Sequence, residues 1–276
     1  MKRTSIFFTA GLMFLTTLSF TSCQKDDNTD PIVSYVTADA DADSYYDDVM
    51  AEVDELTMIS DASKDSYYTT LSLTGEGTRT RKTSWEGNVR IDTIIYGNYV
   101  NPNSRYERVK NGTLIIHTTG NYKDPEFVRE VTFNNFTIDG NQVEGTKRIT
   151  KTAEYTYSIT LQDGKITFTD GTTYTRETTR TRTWLSGYDT PLNIWDDVYT
   201  FEGSATGVNR NGYTYTHRIT NALMIQMTCR WAVEGTIELT VGNESGTLDY
   251  GSGECDNVAT VTRNGKSYEV RLKGGN

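Results

Sequence analysis

The chain is 276 residues long and acidic, with a formal net charge of −10 at pH 7 and 36% hydrophobic residues. This length allows one or two domains with a sizeable core. The excess of acids argues against nucleic acid as a partner, because phosphate binding requires a basic face. The 18 tyrosines, set among many threonines, favour sheet over helix.

Residues 1–22 have the parts of an export signal. Lys2 and Arg3 give a basic start, and an apolar stretch follows from Ile6 to Phe20. That stretch is shorter than the roughly 20 apolar residues of a membrane span. Because residues 1–22 contain two cations and no acid, their removal leaves a mature chain with a net charge near −12.

The residues around Cys23 resemble two sorting signals. Phe20-Thr21-Ser22-Cys23 resembles a lipobox with Phe in place of the commoner Leu. Gln24-Lys25-Asp26-Asp27 resembles the lipoprotein export signal of Bacteroidota. The resemblance implies acylation of Cys23, with palmitate among the lipids, and an outer-membrane protein exposed at the cell surface. Several acyl chains on one cysteine make such anchoring stable.

A tether and a helix are predicted next. Residues 23–43 form an acidic, flexible tether, since they offer few apolar groups to offset the entropy of ordering. Residues 44–60 form an amphipathic helix in which Ser44 caps the start. Tyr46, Val49, Val53 and Leu56 recur at helical spacing and form the buried face. The intervening acids are expected to face water, and the helix to dock on a sheet or cover one open end.

From Tyr67 onward the period changes to two. Residues 155–162 and 213–220 alternate between apolar or aromatic and polar side chains, as half-buried antiparallel strands do. Turn signals separate the strands at Asp139-Gly140, Asp163-Gly164, Asp170-Gly171, Asn211-Gly212 and Asn264-Gly265. Residues 67–276 are therefore predicted to be all-β, a large antiparallel meander of roughly a dozen strands, barrel-like or a sandwich.

One predicted strand, residues 172–184, has no apolar face. One side carries threonines and Glu177, and the other carries Arg176, Arg180, Arg182 and Trp184. Such a strand is wet on both sides, lies at an edge or lines a polar groove. Arg and Trp are enriched at binding hot spots, so these four residues are candidates for ligand binding. The alternative is a cross-strand ladder in which the arginines pair with Glu on neighbouring strands.

Few residues suggest covalent or metal chemistry. With Cys23 acylated, Cys229 and Cys255 remain, and in an exported chain they form a disulfide or stay as two buried thiols. A disulfide would stabilise the fold by about 3 kcal/mol. His117 and His217 are far apart and not in ligand spacing. We predict no catalytic residue, no metal site and no cofactor.

A wider resemblance extends over roughly residues 110 to 272. It rests on Phe133-Asn-Asn-Phe-Thr-Ile-Asp-Gly-Asn-Gln-Val-Glu-Gly-Thr146, Cys229-Arg-Trp231, Gly253-Glu-Cys-Asp-Asn257 and Ala259-Thr-Val-Thr-Arg-Asn-Gly-Lys-Ser-Tyr268. Together these segments resemble a group of Bacteroidota surface lipoproteins. The resemblance implies a surface lipoprotein and brings no assigned activity or catalytic residue.

The sequence leaves three classes of function open. The leading hypothesis is a non-enzymatic surface module that binds a glycan or a protein. A polysaccharide-active hydrolase is the second, and it requires two close carboxylates in a deep cleft. A structural envelope component, or a carrier of an apolar ligand on the concave side of the sheet, is the third. A cavity lined by Tyr155, Ile159, Tyr215 and Met227 would favour the carrier.

Overall fold

The computed structural model describes residues 35, 41–50, 52–54, 76–102, 104, 106–190 and 193–272. Within these residues, helix α1 covers 41–50 and 52–54, and a short 3₁₀ helix covers Ile194–Asp196. The strands are β1 Glu76–Glu86, β2 Val89–Val100, β3 Val109–Thr119, β4 Val128–Ile138, β5 Asn141–Ala153, β6 Thr156–Thr167, β7 Thr173–Ser186, β8 Val198–Val208, β9 Thr214–Gln226, β10 Glu234–Val241, β11 Glu244–Ser252, β12 Val258–Arg263 and β13 Lys266–Arg271.

The thirteen strands form one antiparallel sheet in which each strand pairs with the next, from β1 to β13. The prediction of an all-β antiparallel meander with one short helix is therefore confirmed. In the described part of the chain β1 pairs only with β2, and β13 only with β12. Over the residues that the structure describes, the strands therefore form one sheet that does not close into a barrel.

Four of the five predicted turns join consecutive strands: those at Asp139-Gly140, Asp170-Gly171, Asn211-Gly212 and Asn264-Gly265. The fifth prediction is wrong, because Asp163-Gly164 lies inside β6. Asp163 has a positive φ of 52°, and the register between β6 and β7 shifts between Leu161 and Gly164. An Asp-Gly pair suits a bulge as well as a hairpin, since both use positive φ.

The sheet bends around α1. At about 100° per residue, Asp43, Asp47 and Asp54 share one side of the helix, whereas Asp48 and Glu52 lie on the opposite side. The first three contact strands β4, β5 and β7, and the other two contact β1 and β3. Two opposite sides of one helix thus face one sheet, so the sheet wraps around it. We call the surface that faces α1 the inner face.

Helix α1 is buried more completely than its sequence predicted. Its predicted apolar face is buried at Tyr46, Val49 and Val53, as expected. The expectation that its acids face water is wrong for Asp48 and Glu52, which are each only 1% exposed. Cations on the inner face offset the cost of burying these carboxylates.

The predicted boundary between tether and helix also differs from the structure. Helix α1 already includes residues 41–43, which were assigned to the tether. Tyr35, within the predicted tether, is buried, with its ring centroid 5.2 Å from that of Tyr215. The export signal, Cys23 and the rest of the tether lie outside the described residues, as do residues 55–60 of the predicted helix and 67–75 of the predicted β domain.

Candidate functional site

A layer of ion pairs lies between α1 and the inner face. The pairs are Glu52–Arg79 (3.1 Å), Asp48–Lys110 (2.9 Å), Asp54–Arg129 (2.6 Å), Asp47–Lys147 (3.6 Å), Asp43–Arg176 (2.8 Å) and Asp43–Arg180 (2.7 Å). Most of these cations are almost fully buried, and Lys110 and Arg129 have no exposed surface. A buried charge is tolerated only when it is paired, so the acids of α1 and the cations of the sheet require one another.

Strand β7 supplies the centre of this layer. Arg176, Arg180, Arg182 and Trp184 alternate along it, and all four are buried on the inner face. The strand lies between β6 and β8 rather than at an edge. The sequence allowed three environments for this strand: wet on both sides, at an edge, or lining a polar groove. The structure shows the third, because β7 faces the layer of ion pairs. Arg176 and Arg180 find their carboxylate on α1, at Asp43, rather than on a neighbouring strand.

Tyr122, in the loop between β3 and β4, forms hydrogen bonds with two residues near the C-terminal end of β7. Its hydroxyl accepts hydrogen bonds from Arg182 Nη2 and, at 3.2 Å, from Trp184 Nε1. Its ring stacks on Tyr157, with centroids 4.6 Å apart. Burial raises the pKa of Tyr122 to about 12, although the Arg182 charge opposes that rise. The phenol therefore stays protonated at neutral pH and acts as a fixed hydrogen-bonding group.

Beside the ion layer, a cavity of about 190 Å³ lies between α1 and the part of the sheet from β5 to β11. Its apolar lining comes mainly from β8, β9, β10 and β11 and from the residue that follows β9, Met227. The residues on these strands are Tyr199, Phe201, Leu223, Ile225, Ile237, Leu239, Leu248 and Tyr250. An apolar cavity of about 150 Å³ can hold a benzene ring, so this one has room for a small apolar group.

Asp197 contributes a carboxyl group to the cavity wall. It directly precedes β8 and is 6% exposed. Burial, together with the neighbouring charges of Asp196 and Asp54, raises the pKa of Asp197 to about 7, and Arg182 opposes that rise. At neutral pH this group therefore exists in comparable amounts as acid and as carboxylate.

The loop between β9 and β10 closes another part of the wall with Arg230 and Trp231. The Arg230 guanidinium lies 4.9 Å from the ring centroid of Tyr106 and 5.9 Å from that of Trp231. The preceding residue, Cys229, forms a disulfide with Cys255, and their Cα atoms are 5.6 Å apart. That crosslink restrains the loop that carries Arg230.

The structure brings together some of the sequence-predicted residues and leaves others apart. Arg180, Arg182 and Trp184 line the cavity, whereas Arg176 is buried deeper in the ion layer. Of the four residues expected around an apolar-ligand cavity, Ile159 and Met227 line it. Tyr215 packs against Tyr35 and Tyr174, and Tyr155 is 39% exposed.

Sequence reasoning missed Asp197, Arg230 and the helix acids as parts of the site. A partial signal for the helix acids was available, because an arginine-rich strand with no apolar face requires carboxylates somewhere in the fold. Nothing in the local sequence distinguishes Asp197 from the many other acids of the chain, since its distinctive feature is burial beside Arg182 and Asp54.

The described residues contain no group of three or more His, Cys, Asp or Glu side chains that could hold a metal ion. Among the same residues, no helix is long and apolar enough to cross a membrane. Comparison of the chain with family models, curated proteins and solved structures gave no significant match.

Proposed function

We propose that this protein is a lipid-anchored binding protein that holds a small apolar ligand in the cavity between α1 and strands β5–β11. The observation that carries the proposal is the lining of that cavity. Residues from four consecutive strands direct apolar side chains into one space of about 190 Å³. Ligand sites in proteins are mostly apolar concavities with a few placed polar groups, and Asp197, Arg182 and Arg230 are such groups here.

The size of the cavity also supports a ligand. Protein interiors are close-packed, and an unfilled cavity destabilises a fold by about 24 cal/mol per Å³. For about 190 Å³, this corresponds to about 4–5 kcal/mol. Larger side chains in place of Leu223 or Leu248 would remove that cost in a fold with no ligand to accommodate.

The other two classes of function have less support. The candidates for a surface glycan or protein site are buried on the inner face and not on the surface: Arg176, Arg180, Arg182 and Trp184. Arg176 and Arg180 pair there with Asp43 of α1. A hydrolase needs two carboxylates that can act on a glycosidic bond. The helix carboxylates at the cavity are each paired with a cation, as for Asp47 with Lys147 at 3.6 Å.

The test of the cavity uses calorimetric titration of the purified chain with 1-octanol, a neutral apolar probe. Leu223→Phe and Leu248→Phe should each fill part of the cavity and weaken binding about tenfold, since displaced apolar contacts are worth about 1.4 kcal/mol or more. Leu185→Phe is the matched control, because Leu185 is 56% exposed and is not one of the residues that line the cavity.

Thermal unfolding of each variant shows whether it has kept its fold. If either filled variant folds like wild type and still binds octanol with unchanged affinity, the cavity is not the binding site.

The anchoring part of the proposal is supported by the lipobox ending at Cys23 and by Lys25-Asp26-Asp27 after it. We expect Cys23→Ala to abolish incorporation of labelled palmitate and to release the chain from the outer-membrane fraction, because only the thiolate can accept the lipid. Ser22→Ala, which keeps a small residue before the cysteine, should be labelled like wild type. Labelling that survives Cys23→Ala would place the lipid on another residue and contradict the assignment to Cys23.

A further inference from the structure

Most charged side chains at the cavity already have an ionic partner. Asp43 lies 2.7 Å from Arg180, Asp47 lies 3.6 Å from Lys147, and Asp54 lies 3.8 Å from Arg182. Asp48, also at the wall, pairs with Lys110 at 2.9 Å. In the described part of the chain, the charged wall residues that make no ion pair are Asp197 and Arg230.

Asp197 is buried and Arg230 is half-buried, and the two groups differ in how they can respond to burial. A buried carboxyl group can take up a proton and become neutral, whereas a guanidinium keeps its charge at all physiological pH values. Asp197 therefore needs no counter-charge when it is protonated. Arg230 is the permanent charge of the wall that the described residues leave unmatched.

The residues around Arg230 restrain its guanidinium but, among the described residues, supply no carboxylate to pair with its charge. Its guanidinium lies against the rings of Tyr106 and Trp231, and its Nε atom is buried without a hydrogen-bond partner among the described residues. The Cys229–Cys255 disulfide fixes the adjacent backbone. A planar guanidinium presents parallel N–H donors that match a carboxylate.

We infer that the ligand of the cavity is a medium-chain carboxylate whose acyl chain contacts Leu223, Ile237 and Leu248 and whose carboxylate binds Arg230. This inference rests on the proposed function and specifies its substrate class. By proportion to the benzene-sized cavity, about 190 Å³ accommodates a chain of about eight carbons. A carboxylate suits the site better than a phosphate, because Asp43, Asp54 and Asp197 line the same cavity and would repel a second negative charge.

The test compares octanoate, 1-octanol and octyl phosphate by calorimetric titration of the full chain. Wild type should bind octanoate at least tenfold more tightly than octanol, and octyl phosphate should bind more weakly than octanoate. Arg230→Met keeps an apolar stem without the charge, so the ratio of its octanoate affinity to its octanol affinity should fall to about one. Arg230→Lys should keep part of the preference.

Arg271→Met is the matched control, because the Arg271 side chain is 70% exposed at the far edge strand. It should leave both affinities at the wild-type value. Equal binding of octanoate and octanol by wild type, or an octanoate preference that persists in Arg230→Met, would overturn the assignment of the carboxylate while leaving the cavity proposal in place. If neither ligand binds, the proposed function fails and this inference fails with it.

Discussion

At the scale of single residues, the inner face tolerates charges that most protein cores exclude. Arg129 and Lys110 are completely buried, and each lies within 2.9 Å of a carboxylate oxygen of α1. Burying a well-paired charge can be nearly neutral in free energy, but leaving its partner alone is costly. The side chains of this layer therefore specify where the helix docks more than they add to stability.

Asp197 is a wall residue whose protonation state depends on pH near neutrality. Its folded pKa of about 7 lies above the value of about 3.9 for an unfolded chain. The folded state thus binds the proton more tightly, and the resulting stability is present below about pH 4 and is lost as the pH rises through 7. The charges that act on it are those of Asp196, Asp54 and Arg182.

We expect Asp197→Asn to remove this dependence, since the amide is neutral throughout. Between pH 5 and pH 8, the free energy of unfolding of wild type should fall by about 2.6 kcal/mol more than that of the variant. Urea unfolding at the two pH values measures the difference. Asp196→Asn should keep most of the dependence, because burial is the main cause of the shift. Parallel pH profiles for wild type and Asp197→Asn would contradict the assignment.

At the scale of elements, α1 and β7 depend on each other. Helix α1 has apolar side chains on one face and acids on two others, and β7 has three arginines and no apolar residue except Trp184 and Tyr174 on its inner face. Neither segment could be buried alone. Asp43, which lies between Arg176 and Arg180, is the clearest link between them.

Asp43→Ala should lower the free energy of unfolding by about 3–5 kcal/mol, because it leaves two buried guanidinium groups without their carboxylate. Denaturant unfolding monitored by circular dichroism gives the value. For comparison, Asp189→Ala removes a carboxylate that pairs with Lys123 and is 85% exposed, so its cost should stay below about 1 kcal/mol. Similar losses for the two variants would mean that α1 does not depend on this ion pair.

At the scale of the whole molecule, curvature decides the shape of the site. Register shifts interrupt all ten strand pairings from β1 to β11, and such bulges bend a sheet. Gly112 lies at the register shift between β3 and β4, where the two strands approach each other closely. A Cβ atom placed on it would lie 2.1 Å from the carbonyl oxygen of Asn135.

Gly112→Ala should therefore destabilise the fold by about 2–4 kcal/mol, from positive φ and from the steric clash together. Gly251→Ala measures the cost of the positive φ alone. Gly251 has nearly the same φ, 88° against 95°, but nothing lies within 4 Å of its added Cβ. Its cost should be about 1 kcal/mol. Thermal or urea unfolding distinguishes the two, and equal costs would show that close approach at the bulge does not matter.

The sequence by itself determined what depends on neighbouring residues. Alternation along residues 155–162 and 213–220 gave the antiparallel strands, since side chains on a strand point to opposite faces in turn. Four Asx-Gly pairs gave hairpin turns, because only a few residues accept positive φ readily. The spacing of Tyr46, Val49 and Val53 gave the helix and its apolar face. These features follow from local geometry alone.

Only the tertiary structure decided the partners and the site. Asp43 and Arg180 are 137 residues apart, so no local pattern could show that a helix acid satisfies the arginine-rich strand. The fold likewise buried Asp48 and Glu52 beside cations, and it closed a cavity around Asp197 and Arg230. The physical reason is that burial and ion pairing depend on what the curved sheet brings together in space, and a residue's own neighbours in sequence do not encode it.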